Sequence, residues 1–366
     1  KCQKENERIM PPVPSNSVFQ ASPVVVEGLS LDKSIGREKT ESTAEMVSET
    51  ISDAAITIRA IKNLTTLLNS GVTYIRDAGA TNYIDIDIHN AQQKGEVVAP
   101  EMQTSGRCIC MTGGHGYDTG READGPDECR KAAREQLRAG ANWIKLMATG
   151  GVMTKGVEPG SPQLTEEELR AAIEEAHKAG AKTFSHAQGM TGIKNVLRAG
   201  IDSIEHGFFM DDWCFDFMKE HNVFFVPTLA APYWIKYYGT DAGIPDFMVK
   251  KVEKTIEAHQ DTFRRAHKAG VKIALGTDAG TPFNKYDMTG FEAVLMVENG
   301  MTPMEAIQCG TINAAELLSV QDTHGSITPG KKANFAIFEK DPLKDIHALL
   351  DCSMTVLNGK VVFERR

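Results

Sequence analysis

Four side chains that could bind metal ions lie at corresponding points of four separate strand patterns. They are Lys145, His186, His206 and Asp278, each at or near the end of a short apolar or β-branched run. Imidazole and carboxylate groups are ligands for zinc and similar divalent ions. Burying a lysine as an ammonium inside an apolar strand is energetically costly. We therefore expect Lys145 to be neutral or to be converted by carbon dioxide to a carbamate. A carbamate is an anionic ligand that can bridge two metal ions. One strand histidine alone is usually a hydrogen-bonded core residue, but four such groups at matching positions favour a metal site.

The elements that must position these groups follow one repeated unit: an amphipathic helix, a terminal glycine and a short strand. The glycines of five copies are Gly71, Gly140, Gly180, Gly200 and Gly270. Two further β-rich runs bring the strand candidates between residues 70 and 280 to seven, and the strand–helix alternation predicts a parallel sheet covered by helices. We therefore predict an α/β fold, a closed (β/α)8 TIM barrel, in which the functional groups gather at the carboxyl ends of the strands.

The two ends of the chain depart from this unit. Residues 325–366 predict turn–strand–turn–strand, with the Asn358–Gly359 pair as a hairpin signal. Residues 1–50 show little periodicity. We predict a divergent N-terminal segment over residues 1–50 that contributes to a β appendage and leads into the barrel. The metal-dependent barrel would then span residues 51–324, and residues 325–366 would complete a small β-sandwich appendage formed by the chain termini.

Composition narrows the classes of function. The 366 residues carry 40 basic and 49 acidic side chains, a net charge of −9 that disfavours nucleic acid as a partner. No run approaches the ~18 apolar residues of a membrane span, and the polar start predicts no secretory signal. Seven cysteines without a Cys-x-x-Cys pattern predict buried free thiols rather than a disulfide framework. We therefore expect a cytoplasmic protein without a membrane partner.

Several motifs in a fixed order resemble one family over roughly residues 54–362. Residues 325–334 (GSITPGKKAN) resemble that family's return into its β-sandwich. The others are WIKLMATGG at 143–151, SHA at 185–187, SIEHG at 203–207 and GTDAG at 276–280. Together they resemble the amidohydrolase superfamily, and within it the binuclear-zinc prolidases and related Xaa-amino-acid dipeptidases.

The resemblance implies a role for each of the four candidate ligands. Lys145 would be an N-carboxylated lysine that bridges two divalent ions, with zinc as the expected metal. His186 and His206 would bind the more exposed ion. Asp278 would bind the more buried ion and act as general base toward the bridging hydroxide.

The resemblance also implies two substrate-side residues. His115, in a glycine-rich stretch, would contact the substrate carbonyl or carboxylate, as a catalytic and substrate-binding group. Tyr233 would bind the substrate α-carboxylate, although a packed aromatic loop explains its setting about as well. Residues 150–160 predict a loop that either closes over substrate or is a plain surface loop.

One feature of the family pattern is missing. Its members carry a His-x-His pair at the end of the first barrel strand, whereas this sequence has no histidine before His89, which lies in a helical pattern. Two explanations remain open. Either the molecule lacks the pair, so that only the site of Lys145, His186 and His206 is well supplied, or the sequence joins pieces across a gap that holds the pair.

The predicted reaction is metal-dependent hydrolysis of an amide bond by metal-activated hydroxide. The expected substrate is a dipeptide (Xaa-Pro or similar) or an N-acyl amino acid with a free carboxylate, and the expected assembly is a homo-oligomer. One alternative is hydrolysis of another small xenobiotic or cyclic amide or ester. The other is a catalytically impaired, ligand-binding relative, because the His-x-His pair is absent.

Overall fold

The computed structural model describes residues 19–21, 25–29 and 51–365, with side chains from residue 51 onward. Its strands are β1 (Phe19–Ala21), β2 (Val25–Leu29), β3 (Tyr74–Asp77), β4 (Glu101–Gln103), β5 (Ile109–Cys110), β6 (Arg121–Glu122), β7 (Trp143–Met147), β8 (Lys182–Ala187), β9 (Ser203–His206), β10 (Phe224–Val226), β11 (Phe335–Phe338), β12 (Cys352–Leu357) and β13 (Lys360–Glu364). Its α-helices are α1 (Asp53–Asn69), α2 (Ile84–Gln93), α3 (Pro126–Ala139), α4 (Glu166–Lys178), α5 (Met190–Ala199), α6 (Asp212–His221), α7 (Ala230–Tyr238), α8 (Asp246–Ala269), α9 (Gly290–Glu298), α10 (Pro303–Gln308) and α11 (Ala314–Leu317).

The parallel strands form two hydrogen-bonded sheets that together make the wall of a barrel. One sheet runs β2–β3–β4 and the other runs β10–β9–β8–β7–β5–β6. The backbone N–H groups of Asn142 and Trp143 both donate to the carbonyl of Thr104, at 2.9 and 3.0 Å, and link β4 to β7. Beyond β10, Ile273 forms a parallel bridge with Phe225 and supplies the eighth position. The predicted (β/α)8 barrel is therefore confirmed.

Two details of the barrel differ from the sequence pattern. The run at residues 273–278 pairs with β10 only around the bridge at Ile273, where the backbone N–H of Ala274 donates to Phe225 O at 3.0 Å. The next N–H, that of Leu275, donates outside the sheet to Cys309 O at 3.0 Å. In addition, the short strands β5 and β6 are inserted between β4 and β7. Their connection carries His115, so this insertion determines where that side chain lies.

Capping interactions and glycine residues explain where several of the helices begin and end. At the start of α4, the Thr165 side chain accepts from the backbone N–H of Glu168 and the Glu168 carboxylate accepts from that of Thr165, at 3.3 and 2.7 Å. Gly140, Gly200 and Gly270 close α3, α5 and α8 with φ of 106°, 99° and 78°. A residue with a Cβ is strained in that region, which is why glycine ends these helices.

The appendage is a four-stranded antiparallel sheet of order β1–β11–β12–β13. It joins a strand from near the beginning of the chain to three strands from its end, as predicted, and Asn358–Gly359 makes the turn between β12 and β13. The sheet packs directly on the barrel, since a Cβ on Gly71 would lie 2.8 Å from that of Ala336. The boundaries at residues 50 and 324 stay predictions.

Two further sequence expectations concern thiols and membranes. The six cysteines within the described part of the chain are buried and free, as expected. Among the described residues, no helix combines the length and apolar character that crossing a bilayer requires.

Candidate active site

One cavity opens at the carboxyl ends of the barrel strands and brings together five of the six predicted site residues. It encloses about 890 Å³, including space open to solvent. The predicted residues on its wall are His115, Lys145, His186, His206 and Asp278. The other lining residues are Ala78, Gly79, Ala80, Cys108, Thr119, Met147, Val152, Met153, Gln188, Phe208, Ala231, Pro232, Ile235, Ala279 and Thr281.

Three histidine rings lie against one another on this wall. The ring centroids of His115 and His186 are 4.3 Å apart, and those of His186 and His206 are 4.6 Å apart. Nε2 of His186 lies 3.2 Å from the carbonyl oxygen of Gly150. Because a carbonyl oxygen can only accept, Nε2 carries a proton, and in the neutral ring this leaves on Nδ1 the lone pair that a metal ion requires.

The proton on His206 is placed by its neighbour Thr228. Nδ1 of His206 lies 2.6 Å from Oγ1 of Thr228, and that hydroxyl donates its proton to the carbonyl of Pro227 at 2.7 Å. The imidazole must therefore donate from Nδ1, which leaves the lone pair on Nε2. Burial, together with His186 and Lys145 nearby, holds the pKa of His206 well below its usual range, so the ring is neutral at pH 7.

The surroundings of Lys145 favour loss of the proton from its ammonium group. It is 5% exposed on β7, and Nζ lies 4.6 Å above the centre of the Phe184 ring. Burial lowers the pKa of Lys145 to about 8, with the buried Arg76 guanidinium adding to the effect and the Glu205 carboxylate opposing it. Arg76 and Glu205 form an ion pair at 2.9 Å. An amine with so low a pKa is nucleophilic enough near neutrality to take up carbon dioxide.

The backbone is strained at the residues that end strands on this side of the barrel. His206, Thr228 and Asp278 have φ of 72°, 53° and 55°, in the left-handed region that residues with a Cβ seldom adopt. The carbonyl of Asp278 accepts from the Asn284 side chain at 3.1 Å, which holds the turn after it. Such strain costs about 1–3 kcal/mol per residue and is concentrated at functional sites.

His115 is held by a segment that follows β7, which we call the cover loop (residues 149–163). The backbone N–H of His115 donates to Gln163 Oε1 at 2.9 Å, and its Nδ1 lies 2.8 Å from Thr154 Oγ1. Gly151 packs directly on the ring, because a Cβ there would lie 2.5 Å from Nε2 of His115. Val152 of the same loop lines the cavity. The cover loop therefore forms part of the site wall.

Tyr233 is the predicted site residue that lies away from the cavity lining. Its ring lies 5.1 Å from Trp234 and 5.0 Å from Phe291, in an aromatic cluster on α7 and α9. The lining residues from this region are Pro232 and Ile235.

The donors on the wall match a divalent metal in type. His186 and His206 supply imidazoles, Lys145 is a buried amine with a lowered pKa, and Asp278 supplies a carboxylate. In the described part of the chain, no three His, Cys, Asp or Glu side chains are arranged to hold a metal ion. The set therefore depends on Lys145, which becomes a strong ligand only when it is deprotonated or carboxylated. In β2, which pairs with β3 as the first barrel strand, the sequence has no histidine.

Two functional contacts escaped sequence reasoning. Thr228 lies two residues after the end of β10 and could have been found by the strand-end rule that identified the histidines. Thr154 gives no such signal, because its contact with His115 depends on the tertiary path of the cover loop.

Known proteins of similar sequence and structure belong to one group. The amidohydrolase family model matches residues 30–362. Ochratoxinase from Aspergillus niger is 32% identical over 302 residues, which cover 73% of this chain and 62% of that protein. The chain thus spans less than two thirds of that relative.

Solved structures agree with the sequence match. A Xaa-Pro dipeptidase with bound methionine has a TM-score of 0.85 and 31% identity, over 94% of this chain and 87% of that one. A prolidase in complex with N-methylphosphonate-L-proline has a TM-score of 0.86 and 27% identity, over 94% and 87%. The A. niger ochratoxinase structure has a TM-score of 0.83 and 26% identity, over 94% and 83%.

These similarities confirm the resemblance to the amidohydrolase superfamily and to its prolidase-like branch. The family match, the barrel with its appendage and the cavity at the strand ends agree with one another. The chain belongs to the amidohydrolase family.

Proposed function

We propose that the protein hydrolyses an amide bond of a small molecule in a metal-dependent reaction. The observation that carries the proposal is the convergence of His115, Lys145, His186, His206 and Asp278 on one cavity, in a chain of the amidohydrolase family. The cavity is within the range of about 300–1,000 Å³ usual for small-molecule sites.

We assign the metal to four of these residues, with zinc as the expected ion and two ions as the expected number. His186 and His206 would bind one ion, Asp278 the other, and an N-carboxylated Lys145 would bridge them. Bound metal lowers the pKa of water toward ~7 and polarises a carbonyl oxygen, so it supplies hydroxide near neutral pH.

The protein's own groups would move the proton and orient the substrate. Asp278 accepts the proton from the attacking oxygen and passes it to the leaving amine, and a positioned acid–base of this kind contributes about 10²–10⁴-fold. His115, held by Thr154 and Gly151, donates a hydrogen bond to the substrate carbonyl or carboxylate.

The preferred substrate is a dipeptide (Xaa-Pro or similar) or an N-acyl amino acid with a free carboxylate. Support comes from the Xaa-Pro dipeptidase and prolidase structures named above. One side of the cavity is apolar and suits a bulky uncharged group, through Val152, Met153, Phe208, Pro232 and Ile235. Homo-oligomeric assembly and cytoplasmic location stay predictions.

Two alternatives remain as outcomes of experiment. The similarity to ochratoxinase favours another small amide as substrate. The absence of histidine from β2 favours a catalytically impaired relative that binds ligand without turning it over.

A substrate screen with metal analysis tests the proposal. The purified protein is expected to hold about two divalent ions per chain, to hydrolyse members of a library of Xaa-amino-acid dipeptides and N-acyl amino acids, and to lose activity with a chelator. Turnover of other amides alone would refute the preferred substrate class. If the protein takes up no metal and shows no turnover after incubation with zinc and bicarbonate, the result would support the alternative of a catalytically impaired relative.

A further inference from the structure

A buried lysine outside the cavity lining holds the cover loop. Lys251, on α8, is 7% exposed, and its Nζ donates to the carbonyls of Gly151 (3.2 Å), Thr154 (2.6 Å) and Val157 (2.5 Å). An ammonium has three N–H donors, so these carbonyls satisfy all of them. Burying a lysine is unfavourable unless its charge is hydrogen-bonded, and the cover loop is what satisfies it here.

The same short stretch of the cover loop contacts two site histidines. Thr154, whose carbonyl accepts from Lys251, places its hydroxyl 2.8 Å from Nδ1 of His115. Gly151, a second acceptor, packs under the His115 ring, and the carbonyl of Gly150 lies 3.2 Å from Nε2 of His186. A displacement of this stretch would therefore be transmitted directly to the ring of His115.

Apolar packing joins the same two elements. Val152 and Met153 of the cover loop belong to a cluster with Met248 and Val252 of α8. Val152 and Met153 also line the cavity. The cover loop thus lies between α8 and the substrate space, with Lys251 as its polar anchor and this cluster as its apolar one.

We propose that Lys251 is a positioning residue that sets the orientation of His115 through the cover loop. The inference deepens the proposed function, because it rests on His115 contacting the substrate. Replacing Lys251 by Met removes the three donors and leaves an apolar stem of similar length. An error of about 1 Å in a positioned group costs on the order of 10²-fold in rate. Lys251→Met is therefore expected to lower kcat/KM by about 10- to 100-fold, mostly in kcat, with metal content unchanged.

Proteolysis tests the anchoring without any substrate. Lys155 is exposed within the cover loop and is a trypsin site. Cleavage after Lys155, followed by mass spectrometry, is expected to be at least about 10-fold faster in Lys251→Met than in wild type. Lys250→Met is the matched control, because the neighbouring Lys250 is exposed and pairs with Asp246 at 2.6 Å. Equal cleavage rates in the two variants would overturn the anchoring.

A second variant separates positioning from general loosening. Thr154→Val removes only the hydroxyl that contacts His115 and keeps the carbonyl that accepts from Lys251. We expect Thr154→Val to lower kcat without faster cleavage at Lys155, and to add little in the Lys251→Met background, since residues in one network are not additive. Additive effects of the two substitutions would overturn the link to His115.

A spectroscopic readout keeps this inference distinct from the proposed function. The ¹⁵N shifts of the His115 ring are expected to change in Lys251→Met and in Thr154→Val, and to stay at wild-type values in Lys250→Met. If wild type hydrolyses no amide, the proposed function fails while these shifts still decide whether Lys251 positions His115. Unchanged shifts in Lys251→Met would overturn the inference even in an active enzyme.

Discussion

The two ends of the barrel bury polar groups in opposite ways. At the carboxyl end, His206, Thr228 and Asp278 hold left-handed backbone conformations, and His206 and Asp278 line a cavity. At the amino end, Glu101 begins β4, is 8% exposed, and is paired with Lys332 beside the appendage. The first arrangement stores strain around reactive groups, whereas the second satisfies a charge and joins two parts of the fold. Substitutions at the carboxyl end should therefore mainly lower activity, and substitutions at the amino end should mainly lower the stability of the fold.

The largest effect is expected for Asp278→Asn. Asparagine tolerates the φ of 55° at this position as well as aspartate does, so the fold should be retained. Under the proposed mechanism this substitution removes the general base, and it is expected to lower kcat by about 10²–10⁴-fold. Steady-state kinetics on a substrate from the screen and thermal unfolding would be compared with Asp261→Asn, an exposed control on α8. Near-normal turnover would remove Asp278 from the reaction.

A smaller effect at the same end is expected for Thr228→Val. Without the hydroxyl, Nδ1 of His206 loses its acceptor at 2.6 Å, and the ring loses the contact that would keep Nε2 available to the proposed metal ion. Loss of such a partner costs about 10- to 100-fold in metal affinity. Competition with a zinc-binding dye would measure it. Thr228→Ser should restore affinity, and Thr65→Val, on the exposed face of α1, is the control. Equal affinity in Thr228→Val and the control would show that the hydroxyl does not orient the ring.

The sequence predicts the site residues at the carboxyl ends of the strands better than it predicts which residues of the following loops and helices reach the site. Helix–glycine–strand spacing locates Lys145, His186, His206 and Asp278, because each lies within two residues of the end of a strand pattern. The placement of Tyr233 on α7 depends on which face of that helix meets the cavity, and a helix of only nine residues, about two and a half turns, leaves this open to tertiary packing. The burial of Lys251 likewise depends on tertiary packing that the sequence pattern does not reveal. Its spacing matches an ordinary surface lysine, whereas in the fold it is buried and its Nζ donates to three carbonyls of the cover loop.

At the amino end, Glu101 is expected to affect stability alone. Its carboxylate accepts from Lys332 Nζ at 2.5 Å and from Asn334 Nδ2 at 3.3 Å, and His324 Nε2 lies 3.5 Å away. Glu101→Gln removes the charge but keeps the shape. Weakening these buried bonds is expected to cost about 1–3 kcal/mol of unfolding free energy at pH 7, with kcat/KM unchanged. Urea denaturation would measure it against Glu257→Gln, an exposed control.

The pH dependence of that contribution has a definite sign. Burial alone would raise the pKa of Glu101, but the hydrogen bonds and charges of His324 and Lys332 outweigh it and lower the pKa from 4.5 to about 2. Because the folded-state pKa lies below the unfolded one, the carboxylate stabilises the fold above about pH 4.5, and this contribution is lost as the pH falls toward 2. The stability difference between wild type and Glu101→Gln should therefore shrink as the pH falls from about 4.5 toward 2. A difference that stays constant down to pH 2.5 would mean that the charge of Glu101 does not stabilise this end of the barrel.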